Sequence, residues 1–315
     1  MRLQRPGDRN LSTRRIDSPP APTYTPKTLV RLRTISTTLL LGLALTACGT
    51  TARLQAAPSN RPAASTSPIA TVAATPVKPV VIDATYVANE LGGVEQAIRL
   101  PDTPDSDYGP LGIRQQKAYH LLAAHPDWVA TVLDAMPPAL RSAIQANLTA
   151  AQQIGTLNGE SSKLPHWKII APPPPDTLLA YYREAQQASG VAWQYLAAIN
   201  LIETNMGRIQ GLSSAGAQGP MQFMPATWAS YGRGDVNNPH DAILAAGRYL
   251  QVHGAPQNMT HAIYAYNPSM LYVRAVQLYA QQMFDNPRTF YAYYNWQVYV
   301  PMKTGIVLLP EGFSN

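Results

Sequence analysis

Glu203 stands where a carboxylate is expensive. It lies near the end of "VAWQYLAAINLIETNMG" (191–207), a run rich in Ala, Leu and Ile that ends at a glycine. Ala192, Leu196, Ile199 and Glu203 follow one another at spacings of four, three and four, which places them on one stripe of a helix. The acid therefore continues the apolar face rather than the polar one. Charged side chains are seldom fully buried without a partner, and desolvation raises a carboxylic acid's pKa. A Glu held protonated near neutral pH is what general acid catalysis needs. A helix-end Glu turned to solvent is the plainer reading, and Glu203 taken alone favours it.

The residues downstream change the balance. "GLSSAGAQGPMQFMPATW" (211–228) combines small residues with Gln222, Met224, Pro225 and Thr227, and "AYN" follows at 265–267. Gly216 and Gly219 suit a positive φ or a close approach of backbone to ligand. A Gln among apolar residues needs a hydrogen-bond partner, which makes Gln222 a candidate for substrate contact; Met224 serves core packing equally well. Together these stretches resemble the lytic transglycosylases of the soluble-transglycosylase (SLT), goose-type lysozyme-like superfamily. That family shows a Glu followed by Ser or Thr at a helix end, then a "GAxGxMQxMPxT" element, then "AYN". This chain has Glu203–Thr204, "GAQGPMQFMPAT" (216–227) and Tyr266–Asn267 in that order, with Tyr272–Val273 beyond them. The resemblance covers residues 176–285 and does not extend to 83–170.

Carried over, the resemblance makes Glu203 the sole catalytic acid and base. It places Ser213 near the acid as a hydrogen-bond partner and lines the substrate groove with Gln222 and Met224. Tyr266 approaches the acid or the bound muramoyl residue, and Asn267 supports the site. The chain departs from the family pattern in carrying "ET" for the commoner "ES", Pro220 for a frequent Leu, and Pro268–Ser269 where some relatives carry a second Glu. That last difference removes a supporting contact, not the central acid. Tyr264, Tyr266 and Tyr272 suit sugar stacking, and core packing is the default reading of each.

Counting carboxylates bears on the reaction. Glycosidases ordinarily flank the bond with two, whereas residues 185–284 contain only Glu203, Asp235 and Asp241. Asp241 reads as a first-turn helix residue and Asp235 as a turn former. One effective acid agrees with the mechanism the resemblance implies: cleavage of the bond between N-acetylmuramic acid and N-acetylglucosamine of peptidoglycan, with closure of a 1,6-anhydro ring. A hydrolytic muramidase on the same fold, and a peptidoglycan-binding lipoprotein without activity, stay open as alternatives.

The elements that must position these residues are mostly helices. "DTLLAYYREAQQASG" (176–190) offers Asp176 as cap and Gly190 as stop, and "NPHDAILAAGRYLQVHG" (238–254) opens with Asn238 as cap and Pro239 at the first position. "MTHAIYAYN" (259–267) and "SMLYVRAVQLYAQQM" (269–283) follow, the second with a stripe at Val273, Val276, Ala280 and Met283. Helical patterns also fill 112–136 and 138–155. The expected class is mainly α: a lysozyme-like catalytic domain with a small β element over 171–285, preceded by a helical region at 83–170 that is either a docking surface for other cell-wall proteins or an extension of the catalytic fold. Residues 286–315 are aromatic and β-branched, which points to a hairpin.

"RLRTISTTLLLGLALTAC" (31–48) has a basic start, a short apolar run and small residues before Cys48. It reads as a secretory signal over 1–47, its apolar run being too short to span a membrane. "LTAC" resembles the bacterial lipobox, which makes Cys48 a lipidation site and ties the chain to a membrane of the cell envelope. The polar stretch before residue 30 suggests a translation start near Leu29 or Val30. Residues 48–82, rich in Ala, Pro, Ser and Thr, read as a flexible tether. The net charge of +6 belongs to the leader, because basic and acidic residues balance from Cys48 onward. That removes the main support for nucleic-acid binding. The six His residues form no ligand pattern and there is no Gly-rich phosphate loop, so neither metal nor cofactor is expected. A single Cys excludes an internal disulfide.

Overall fold

The computed structural model describes residues 80–315. The expected leader, Cys48 and the tether up to residue 79 lie outside the described residues. The chain forms α1 (Ala84–Arg99), α2 (Tyr108–Ala124), α3 (Val129–Asp134) and α4 (Pro138–Asn158). Next come β1 (Lys168–Ile169), α5 (Pro175–Ser189), α6 (Trp193–Thr204) and β2 (Ile209–Gln210). The rest is α7 (Pro225–Tyr231), α8 (Pro239–Val252), α9 (Met259–Tyr266), α10 (Met270–Asp285), α11 (Thr289–Tyr294), β3 (Val298–Met302) and β4 (Gly305–Leu309).

Local chemistry sets many of the helix ends. Asp83 caps α1 by accepting the Tyr86 N–H at 2.8 Å, and Asn238 caps α8 through His240 N–H at 2.9 Å. Proline stands at the first turn of α4, α5, α7 and α8, where its missing N–H costs nothing. Gly190 ends α5 at φ +75°, a left-handed cap that glycine adopts without strain. Asp176 is not the cap of α5; it lies in the first turn and accepts the Tyr291 hydroxyl at 3.0 Å.

Packing centres on α10, which lies against α4 and α6. One core joins Leu91, Leu122, Ile144 and Leu148 of the first helices to Leu178, Leu196, Ile199, Ile243, Val276 and Phe290 of the later ones. Each such side chain contributes about 1.5–3 kcal/mol on burial. The helices of 83–158 therefore share a core with those of 171–285. A small sheet bridges the expected boundary at 170/171: β1 pairs antiparallel with β2 in the register Lys168↔Gln210 and Ile169↔Ile209. Ile170 N–H then donates to Arg208 C=O at 2.9 Å, extending that pairing by one residue.

Polar groups reinforce the join. Glu95 of α1 is fully buried and accepts from Gln115 at 2.9 Å, Asn147 at 3.3 Å and Tyr119, while pairing with Arg99. Arg99 in turn donates to Gln282 of α10 at 3.1 Å. A buried carboxylate survives here because a cation and several donors surround it.

Two local expectations differ from the structure. The helical pattern over 112–136 breaks after Ala124, because Pro126 cannot continue a helix and biases His125 away from helical geometry. Residues 289–294 form α11 rather than strand. Phe290 and Tyr293, three apart, are both fully buried, so packing of a helical face overrides the β preference of the aromatics. The hairpin follows at β3–β4, with Val298↔Leu309 at one end and Met302↔Gly305 at the other.

Candidate active site

Helix α6 runs through the core, with Leu196, Ala197, Ala198 and Ile199 fully buried. It ends abruptly. Asn205, Met206 and Gly207 all have positive φ (+52°, +63° and +87°), a conformation that non-glycine residues hold only when their surroundings over-determine it. Here Met206 is fully buried and the Asn205 side chain donates to Trp296 C=O at 3.1 Å. Glu203 is thereby pinned in the last turn of α6, the negative end of the helix dipole, which disfavours a carboxylate.

Burial of the Glu203 carboxyl raises its pKa from an ordinary value near 4.5 to about 7. A smaller effect opposes this: the Tyr272 hydroxyl donates to Glu203 Oε1 at 2.5 Å and favours the ionised form. Tyr272, on the first turn of α10, is only 1 % exposed. Burial, and then the nearby Glu203, push its phenol well above the usual range, so it stays a donor. Among the described residues no Lys, Arg or His forms an ion pair with Glu203.

The turn at 219–222 carries Gln222. Gln218 and Phe223 bracket it with paired backbone bonds of 2.9 and 2.8 Å. Gly219 has φ +72°, and a Cβ there would lie 1.9 Å from the Val236 carbonyl oxygen, so only glycine fits. Gln222 holds φ +50°, with its amide Nε2 donating to Gly219 C=O at 2.9 Å. Tyr266, at the end of α9, is half-buried and donates its hydroxyl to Met221 C=O at 2.5 Å. Burial first, then the Glu203 and Tyr249 charges, raise the Tyr266 pKa. Met224 is 43 % exposed just before α7.

The structure thus links Glu203 to Tyr272 directly, and Gln222 to Tyr266 through the turn. One carried-over residue is bonded elsewhere. The Ser213 hydroxyl accepts the N–H groups of Ala215 (3.2 Å) and Ala217 (2.9 Å) within its own loop, and no hydrogen bond joins it to Glu203. Asn267 closes α9 by donating its backbone N–H to Ile263 C=O at 3.0 Å. Asp235 and Asp241 serve the start of α8. Asp235 Oδ1 accepts Asn237 N–H at 2.9 Å, and Asp241 Oδ2 accepts Asp235 N–H at 3.0 Å.

Tyr272 is the contact to Glu203 that sequence reasoning missed, since it read as a stacking or core residue. Its signal was present: a Tyr on the buried side of an apolar helix needs an acceptor for its hydroxyl. Among the described residues no group of three or more His, Cys, Asp or Glu side chains is placed to hold a metal ion. No helix of the described residues is long and apolar enough to cross a membrane.

Comparison with known proteins converges on the same segment. Residues 180–285 match the family model of the transglycosylase SLT domain. No curated protein and no solved structure matches the chain significantly. The matched segment contains Glu203, the turn bearing Gln222, Tyr266 and Tyr272, so the chain carries a segment similar to the transglycosylase SLT domain, about a third of its length.

Proposed function

We propose that the protein cleaves the β-1,4 bond between N-acetylmuramic acid and N-acetylglucosamine, with Glu203 acting first as acid and then as base. The observation that carries this reading is the state of Glu203, a desolvated carboxyl with a pKa of about 7, one phenolic donor and, among the described residues, no cation paired with it. Protonated Glu203 gives its proton to the glycosidic oxygen, and the leaving N-acetylglucosamine departs with the bonding pair. The 2-acetamido group of the substrate stabilises the developing cation at C1. Ionised Glu203 then removes the proton of the muramoyl O6 hydroxyl, whose oxygen bonds to C1 and closes the 1,6-anhydro ring. Water is not consumed, and the acid returns to its starting state.

The competing hydrolytic reading needs a second carboxylate to place water. Engagement of Asp235 and Asp241 at the start of α8 argues against it. The lipobox-like "LTAC" adds anchoring through Cys48, which mapping of the mature N-terminus checks.

Mass spectrometry of digested sacculi tests the proposal. The expected soluble products carry the anhydro-muramoyl mass, 18 Da below the hydrated form, and Glu203→Gln reduces their release by about 10³-fold or more. Hydrated products alone would turn the assignment to a muramidase. Binding without release would make the protein a glycan-binding lipoprotein.

A further inference from the structure

Three successive carbonyls, on Gly219, Pro220 and Met221, are each held by a side chain. Gln222 holds the first and Tyr266 the third. The middle one receives two donors from α6: Asn200 Nδ2 at 2.8 Å and Thr204 Oγ1 at 2.5 Å. A carbonyl only accepts, so the Asn200 nitrogen must face Pro220 and its oxygen must turn away. That oxygen meets the Tyr182 hydroxyl of α5, which donates at 2.5 Å. The one Thr204 proton goes to Pro220, and its oxygen accepts from Asn200 Nδ2 and from Gly207 N–H, both at 3.2 Å. Tyr182, Asn200 and Thr204 are at most 1 % exposed. The side-chain bonds account for one another completely, the condition under which a buried polar network stiffens a fold.

We propose that Tyr182, Asn200 and Thr204 form a positioning chain that sets the Gln222 turn in register with the Glu203 end of α6. Thr204 follows Glu203 directly and Pro220 lies two residues before Gln222, so the Thr204–Pro220 hydrogen bond joins the two segments next to both residues. The same hydroxyl, through Gly207, braces the left-handed turn that pins Glu203. The anchored carbonyls also account for Gln222 holding a positive φ. This inference rests on the function proposed above.

A double-mutant cycle tests it. Thr204→Val keeps the shape and removes the hydroxyl; Thr204→Ser keeps the hydroxyl. On purified glycan strands Thr204→Val should lower kcat/KM about 10-fold, and Thr204→Ser should stay within about 2-fold. In a Gln222→Ala background the valine change should cost under 2-fold, because the residue it positions is gone. Tyr182→Phe, the milder change at the far end, should show the same non-additivity and serves if Thr204→Val does not fold. Additive losses, or a wild-type kcat/KM in both variants, overturn the proposal. If the wild-type protein releases no fragment, the functional reading fails by itself. Amide exchange at Gln218 and Phe223 then decides the positioning chain: about 10-fold faster exchange in Thr204→Val but not in Thr204→Ser supports it, and unchanged exchange overturns it.

Discussion

Glu95 and Glu203 are carboxylates set into one helical body, and their neighbours divide them. Glu95 sits where α1 meets α2, α4 and α10, with Arg99 as counter-charge and Gln115, Tyr119 and Asn147 as donors. Glu203 has a single phenolic donor and no ion pair among the described residues. Glu95 is fully buried and Glu203 half-buried with a desolvated carboxyl, so burial alone does not separate structure from chemistry. A cation makes the buried carboxylate a fastener between helices. Without one, the cost of burial is relieved by taking up a proton, and that proton becomes available to a substrate.

Breaking the pair at Glu95 should give the largest effect on stability. Arg99→Leu leaves the carboxylate buried without its cation and should cost about 3–5 kcal/mol, read from urea unfolding. A loss below about 1 kcal/mol would show that the neutral donors suffice and that the cation does not set Glu95 apart from Glu203. The corresponding change at the other acid should have the opposite sign. Glu203 has a folded pKa of about 7 against about 4.5 unfolded, so the folded state binds the proton more tightly between those values. The destabilisation from the ionised form is absent below about pH 4.5, grows with pH and is complete above about pH 7. Glu203→Gln should therefore raise stability by about 2–3 kcal/mol at pH 8 and by almost nothing at pH 4. A gain independent of pH would contradict the assigned ionisation. The smallest effect concerns Tyr272. Its hydrogen bond lowers the Glu203 pKa, so Tyr272→Phe should raise it further and move the alkaline limb of the activity profile up by about 0.5–1 pH unit. A downward shift would show that the phenol favours the protonated acid.

Features governed by near neighbours in sequence were the most legible. The stripe carrying Glu203, the Asn238 cap and the Gly190 stop each depend on a few adjacent residues, and the structure has them in those roles. The mainly helical, SLT-like fold was legible for the same reason, its motifs being short and ordered along the chain. Features that depend on distant partners were not. Phe290 and Tyr293 read as strand until a core was there to receive a helical face. Nothing next to Asn200 in the sequence marks it out, although its amide holds a turn twenty positions away. Ser213 was assigned to the acid by resemblance, and its hydroxyl is instead occupied by two N–H groups of its own loop.

By itself the sequence determined that one acid lies on an apolar helical stripe and that a glycine-bearing turn and an "AYN" follow it. Residue type and helical period settle those points locally. Only the tertiary structure decided what the acid would be. Its pKa depends on how much water the surrounding helices exclude and on which group reaches its oxygens, and that group is Tyr272, 69 residues further along the chain.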